Sequence, residues 1–103
     1  MATVQKITLA DHGQDFTEWY VRDGIVIDCQ PCQGRVWVGA KLTSAAVAGQ
    51  AIHVIPSALG KEMILDYPAQ EVETLGPDEA AAVEAYGRKW ADMKGIPAAN
   101  LGL

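Results

Sequence analysis

Apolar residues along most of this chain fall in short runs of β-branched and aromatic side chains, split by Gly, Pro and Asp. That pattern predicts strands. The first is Val4–Ala10, with Ile7 and Leu9 on one face, and Asp11-His12-Gly13-Gln14 reads as a turn after it. Phe16–Arg22 is a second strand. Asp23-Gly24 then sits between Val21-Arg22 and Ile25-Val26, a two-residue hairpin signal because both central residues of a type I′ turn need positive φ. The register it predicts sets Arg22 against Ile25, Val21 against Val26 and Tyr20 against Ile27. Gln30–Gly34 reads as a loop. Arg35–Ala40 reads as a strand with Val36 and Val38 on one face and Trp37 on the other. Thr43–Gly49 is ambiguous, since its alanines suit a short helical turn that Gly49 would end. Ala51–Ile55 is a strand with Ile52 and Val54 on one face, and Pro56–Gly60 is a turn or loop. Glu62–Tyr67 is a strand ended by Pro68, and Glu71–Leu75 a last short strand with Glu71 and Glu73 opposite Val72.

The period then changes. Gly76-Pro77-Asp78-Glu79 has the residues of a helix start: an acceptable N-cap, a proline at the first helical position and two acids at the positive end of the dipole. Val83, Tyr86, Trp90 and Met93 recur at spacings of three and four and predict one apolar stripe. Glu84 and Arg88 form an i,i+4 pair. Gly95 fits the C′ position, Ile96 can fold back on the last turn, and Pro97 prevents continuation. The helix spans about residues 77–94, with a short tail over 96–103. The expected architecture is α+β: a small, mostly antiparallel β-barrel or β-roll of SH3-like size, with six or seven short strands. One C-terminal amphipathic helix packs across an opening of it or over an open face.

Composition agrees with one domain. The chain has 103 residues, half of them apolar and a fifth charged, too apolar for a disordered segment and too short for two ordinary domains. Its formal net charge is −5, and the seven charged residues between Lys61 and Arg88 are all acidic. Such a surface excludes phosphate-seeking function: no nucleic acid and no anionic membrane is expected as a partner. No apolar run approaches a membrane span, and no basic-then-apolar leader opens the chain, so a cytoplasmic location is the expectation.

Candidate chemistry is thin. Cys29-Gln30-Pro31-Cys32 has the redox spacing, but strand-forming residues flank it on both sides. The helix N-terminus that activates such thiols is therefore missing, and Asp28 beside it raises a thiol pKa. Zinc needs four ligands. The two remaining donors, His12 and His53, lie 17 residues before Cys29 and 21 after Cys32, so a Cys29, Cys32, His12, His53 site requires loops to converge. Cysteines tolerated in a reduced turn are the favoured reading, with a metal or thiol-redox site as the alternative. His12 between Asp11 and Asp15 has the residues of a general acid/base, and equally those of an ordinary turn. Ser44 and Ser57 stand in no nucleophile elbow, and no phosphate-cradling loop occurs. Trp19 and Tyr20 point to opposite faces of one strand, so the helix covers the second face or an aromatic patch is exposed. The resulting expectation is a non-enzymatic acidic binding module without a cofactor. Its partner is a protein or a second copy, and Trp19, Trp37, Glu71 and Glu73 are its candidate contacts.

Overall fold

A computed structural model describes residues 3–11, 15–30, 37–57 and 59–103. Among them, six strands close an antiparallel barrel in chain order: β1 (Val4–Asp11), β2 (Asp15–Arg22), β3 (Ile25–Gln30), β4 (Lys41–Leu42), β5 (Ala51–Ile55) and β6 (Met63–Thr74). One helix, α1 (Pro77–Lys94), and a terminal 3₁₀ turn (Ala98–Leu101) follow. Period-2 alternation turns Ile7, Leu9, Trp19, Val21, Ile52 and Val54 into one buried cluster inside the barrel. The expected fold class is the one observed.

The β2–β3 hairpin forms on Asp23 (φ 52) and Gly24 (φ 76), as its turn type requires. Arg22 opposes Ile25 and Val21 opposes Val26, but Tyr20 opposes Asp28 instead of Ile27. Ile27 is the extra residue of a β-bulge. The bulge lets four consecutive residues, Val26 to Cys29, be buried, because the strand is covered on both sides.

Two other sequence expectations are corrected. Trp37–Ala40 is a tight turn, closed by Ala40 N–H donating to the Trp37 carbonyl at 3.0 Å. Gly39 has φ 93, which a strand residue with a side chain would not adopt. The rest of the expected Arg35–Ala40 strand lies outside the described residues. The two short strands expected on either side of Pro68 are one strand, β6. Its first part pairs with β5 (Met63 with Val54, Ile64 with His53) and its second with β1 (Ala69 with Leu9 through Thr74 with Gln5). Pro68 still sits opposite Ala51 of β5, and the next residue, Ala69, sits opposite Leu9 of β1, so the proline stands where the strand passes from one partner to the other. Thr43–Gly49 forms no helical turn; it is an irregular arch whose Gly49 N–H donates to the Ala69 carbonyl at 2.8 Å.

Helix α1 begins and ends as its sequence predicts. Gly76 precedes Pro77 in extended conformation, Gly95 takes the left-handed one, and Ile96 N–H reaches back to the Ala91 carbonyl at 2.8 Å. Its buried line differs from the expected stripe. Gly87 and Ala91 are buried and Val83 is half-buried, whereas Tyr86 and Met93 are 44% and 68% exposed. The helix does not cap a barrel opening. It lies on the outer wall, where Ile27, Ala91 and Leu101 form a second buried cluster with Tyr20, Val83 and Leu103 against it. Arg22 ties this layer down: its guanidinium donates to the Gly102 carbonyl, and its Nε faces a Glu84 carboxylate oxygen at 3.4 Å.

Candidate functional site

The outer wall of β6, β1 and β2 carries an acidic cluster built by register. Lys6 lies opposite Tyr20 on β2 and Glu73 on β6, and Thr8 lies opposite Glu18 and Glu71. The Lys6 ammonium bridges Glu18 at 3.3 Å and Glu73 at 3.5 Å. Glu71 is exposed. The patch therefore holds two carboxylates on the Lys6 ammonium and a third, Glu71, opposite Thr8 on the same wall. Glu71 and Glu73 share the outward face that their spacing predicts.

A cleft of about 220 Å³ opens between β2, β3 and α1, lined by Tyr20, Asp28, Gln30, Ala82, Val83 and Tyr86. Asp28, only 4% exposed, is the buried acid in that lining. The bulge at Ile27 puts Asp28 on the outer wall opposite Tyr20, and the helix then roofs it. Tyr20 links cleft and patch. Burial holds its phenol above the ordinary tyrosine value, and the charges of Glu18, Asp28 and Glu79 push the same way against Lys6. Lys6 is also raised, first by its hydrogen bond and charge contact with Glu18, and to a lesser degree by Glu73.

Both shifts act on stability with one sign. A folded pKa above the unfolded one means stabilisation that is complete below about pH 10 and lost as pH rises through the folded values. Glu18→Gln is expected to lower both titrations together. The readouts are the Tyr20 phenolate absorbance, identified by difference from Tyr20→Phe, and a flatter fall of Tm between about pH 9 and 12. Unchanged titrations would remove Glu18 from the field at Tyr20.

The remaining sequence candidates separate. Trp19 is 1% exposed inside the barrel, its ring 5.2 Å from that of Trp37 and tilted by 39°. It is a core residue and presents no surface to a partner, because Trp19 and Val21 on β2 face the inner cluster. Trp37 is half-buried against the same cluster. Cys29 is buried on the inner wall of β3, whereas His53 lies on the outer wall of β5, 3.8 Å from Glu62 and with β4 between the two strands. One ion cannot reach both from opposite sides of the wall. Cys32 and His12 lie outside the described residues, as do the side chains of Asp11 and Asp15, so the expected Asp11, His12, Asp15 grouping lies there too. Among the described residues no cluster of three or more His, Cys, Asp or Glu could hold a metal.

Sequence reading missed Asp28, Tyr20 and Tyr86 as neighbours. One signal was available: Asp28 is the single charge in the apolar run Ile25–Cys29, where a carboxylate needs a reason to be. No helix among the described residues is long and apolar enough to cross a membrane. Comparison of the chain with protein-family models, with curated proteins and with solved structures gives no match.

Proposed function

We propose that this chain is a non-enzymatic binding module that docks a basic segment of a partner protein along the acidic wall of β6, β1 and β2. One lysine or arginine of that segment enters the Tyr20–Tyr86 cleft. The observation that carries the reading is the cleft itself: a carboxylate 4% exposed, in a lining that also holds two tyrosines. A cationic head is attracted both by Asp28 and by aromatic faces, and its aliphatic stem lies on Ala82 and Val83. Glu18, Glu71 and Glu73 extend the negative field beyond the cleft and steer the approach.

The test is an amide chemical-shift titration with a lysine-rich decapeptide and a glutamate-rich one, at about 0.05 M and about 0.5 M salt. The basic peptide is expected to move the Tyr20, Gln30, Val83 and Tyr86 amides saturably, and to bind several-fold more weakly at the higher salt. Asp28→Asn is expected to weaken it by about tenfold, the size of one lost charge-assisted hydrogen bond. The exposed pair Glu71→Gln and Glu73→Gln is expected to weaken it with the fold intact. Equal response to both peptides, or shifts centred elsewhere, would overturn the reading.

A further inference from the structure

Each of three clefts on the molecule carries a carboxylate in its lining: Asp23, Asp28 and Glu84 respectively. A fourth does not. It has a volume of about 580 Å³, within the usual range for small-molecule sites, and is framed by the outer wall of β3 and β4, the Trp37–Ala40 turn, Ser57 and the terminal segment Ile96–Leu101. Its apolar lining is Ile25, Val38, Ile96 and Leu101. Its polar lining residues are Lys41, Ser57 and Asn100. Among the described residues no carboxylate pairs with Lys41.

We infer that this cleft binds a small monocarboxylate with an apolar body. The hydrocarbon lies on Ile25, Val38 and Ile96, and the carboxylate meets Lys41, with Ser57 and Asn100 as neutral donors beside it. The sign of the ligand follows from the lining. One cation and two neutral hydrogen-bonding groups satisfy an anion, and leave an ammonium facing a like charge. The chain's overall −5 does not reverse this. Salt screens exposed charges beyond about 8 Å at physiological ionic strength, so the groups in the cleft decide the local preference. The backbone holds the shape. Gly39 (φ 93) brings its turn against Ser57 and Leu101, and a Cβ there would stand 3.7 Å from the Ser57 hydroxyl and 3.9 Å from Leu101. Leu101 is 1% exposed, so the terminal segment forms a fixed wall.

The probe is octanoate, compared with octylammonium and octanol, which keep the chain and change the head. Octanoate is expected to shift the Gly39, Lys41 and Asn100 amides saturably, and the Tyr20 and Val83 amides of the acidic cleft not at all. Lys41→Glu, at an exposed position, is expected to weaken it at least tenfold while the other amides keep their positions, and Lys41→Gln to fall between. Equal response to octanoate and octylammonium would overturn the proposal. So would retention of octanoate binding in Lys41→Glu, or the absence of a saturable shift at these amides. Because the two clefts report through different amides, failure here is distinct from failure of the basic-segment reading.

Discussion

Trp19→Ala is expected to lower the unfolding free energy by about 3–5 kcal/mol, the usual cost of emptying a buried aromatic site. Urea denaturation with an unchanged m-value is the measurement. Trp19 lies at the middle of the inner wall, with Ile7 opposite it on β1, Cys29 opposite it on β3 and the Trp37 ring beside it. Two sides of the cavity left by the indole are the backbone-fixed strands β1 and β3 of a closed barrel, so little can collapse into it. Small domains hold about 5–15 kcal/mol in all, and this one substitution removes a large part of that. Trp37→Ala costs less, because Trp37 is half-buried and solvent can follow the removed ring. The circular-dichroism signature of two coupled indoles should vanish in both Trp19→Phe and Trp37→Phe and survive in Trp90→Phe. A loss below about 1 kcal/mol for Trp19→Ala would mean that the indole is not packed as described. Binding of the basic peptide by Trp19→Phe at full strength would separate this core residue from the recognition surface.

What the sequence made legible was local. Asp23-Gly24 between β-formers defines its hairpin through two φ angles, and Pro77, Gly95 and Ile96 define both ends of α1 through capping geometry, so each could be read from a few neighbouring residues. What was not legible depended on distant partners. Pro68 obeys a local rule that ends strands, and the barrel defeats it, because β6 leaves β5 and takes up β1 at that point. Gly39 among Val and Trp reads as strand, and only the closure of Val26 against Gly39 and Ala40 turns it into a corner. The stripe of α1 was read from its large apolar residues, which favoured Tyr86 and Met93. The packed face instead follows the small ones, because α1 lies close to a strand.

The acidic patch divides the same way. Glu71 and Glu73 could be placed on one outward face from their spacing alone. Glu18 and Lys6 join them only through register across β1, and Asp28 joins Tyr20 only because a bulge at Ile27 reverses the alternation of β3. A single inserted residue thus converts an unremarkable acid beside a cysteine into the carboxylate of a cleft. The uncharged faces of that cleft come from a helix some fifty residues later in the chain.

Gly87→Leu is expected to cost about 2–3 kcal/mol and to lower Tm by roughly 10 °C or more. A glycine inside a helix is itself unfavourable by about 1 kcal/mol relative to alanine, so its presence at Gly87 needs a compensating contact. The contact is close approach to β3. A Cβ at this position would stand 3.3 Å from the Ile27 carbonyl oxygen and 3.4 Å from a Leu103 methyl carbon. Alanine brings the gain in helix propensity and a tight contact of similar size, and its net effect is expected within about 1 kcal/mol of zero. Leucine cannot be fitted without lifting α1 from the wall, and the carbonyl is backbone that cannot step aside. The loss should be confined to the outer layer. The coupled-indole signal of Trp19 and Trp37 is expected to persist while amide protection in α1 falls, and Ala85→Leu, one turn face away at an exposed site, should change stability by no more than about 0.5 kcal/mol. Because α1 carries Val83 and Tyr86, lifting it also opens the acidic cleft, so Gly87→Leu should lose the basic peptide that Trp19→Phe retains. A stable Gly87→Leu protein that still bound the peptide would show that the helix does not need its close seat on Ile27, and that the cleft is not built by it.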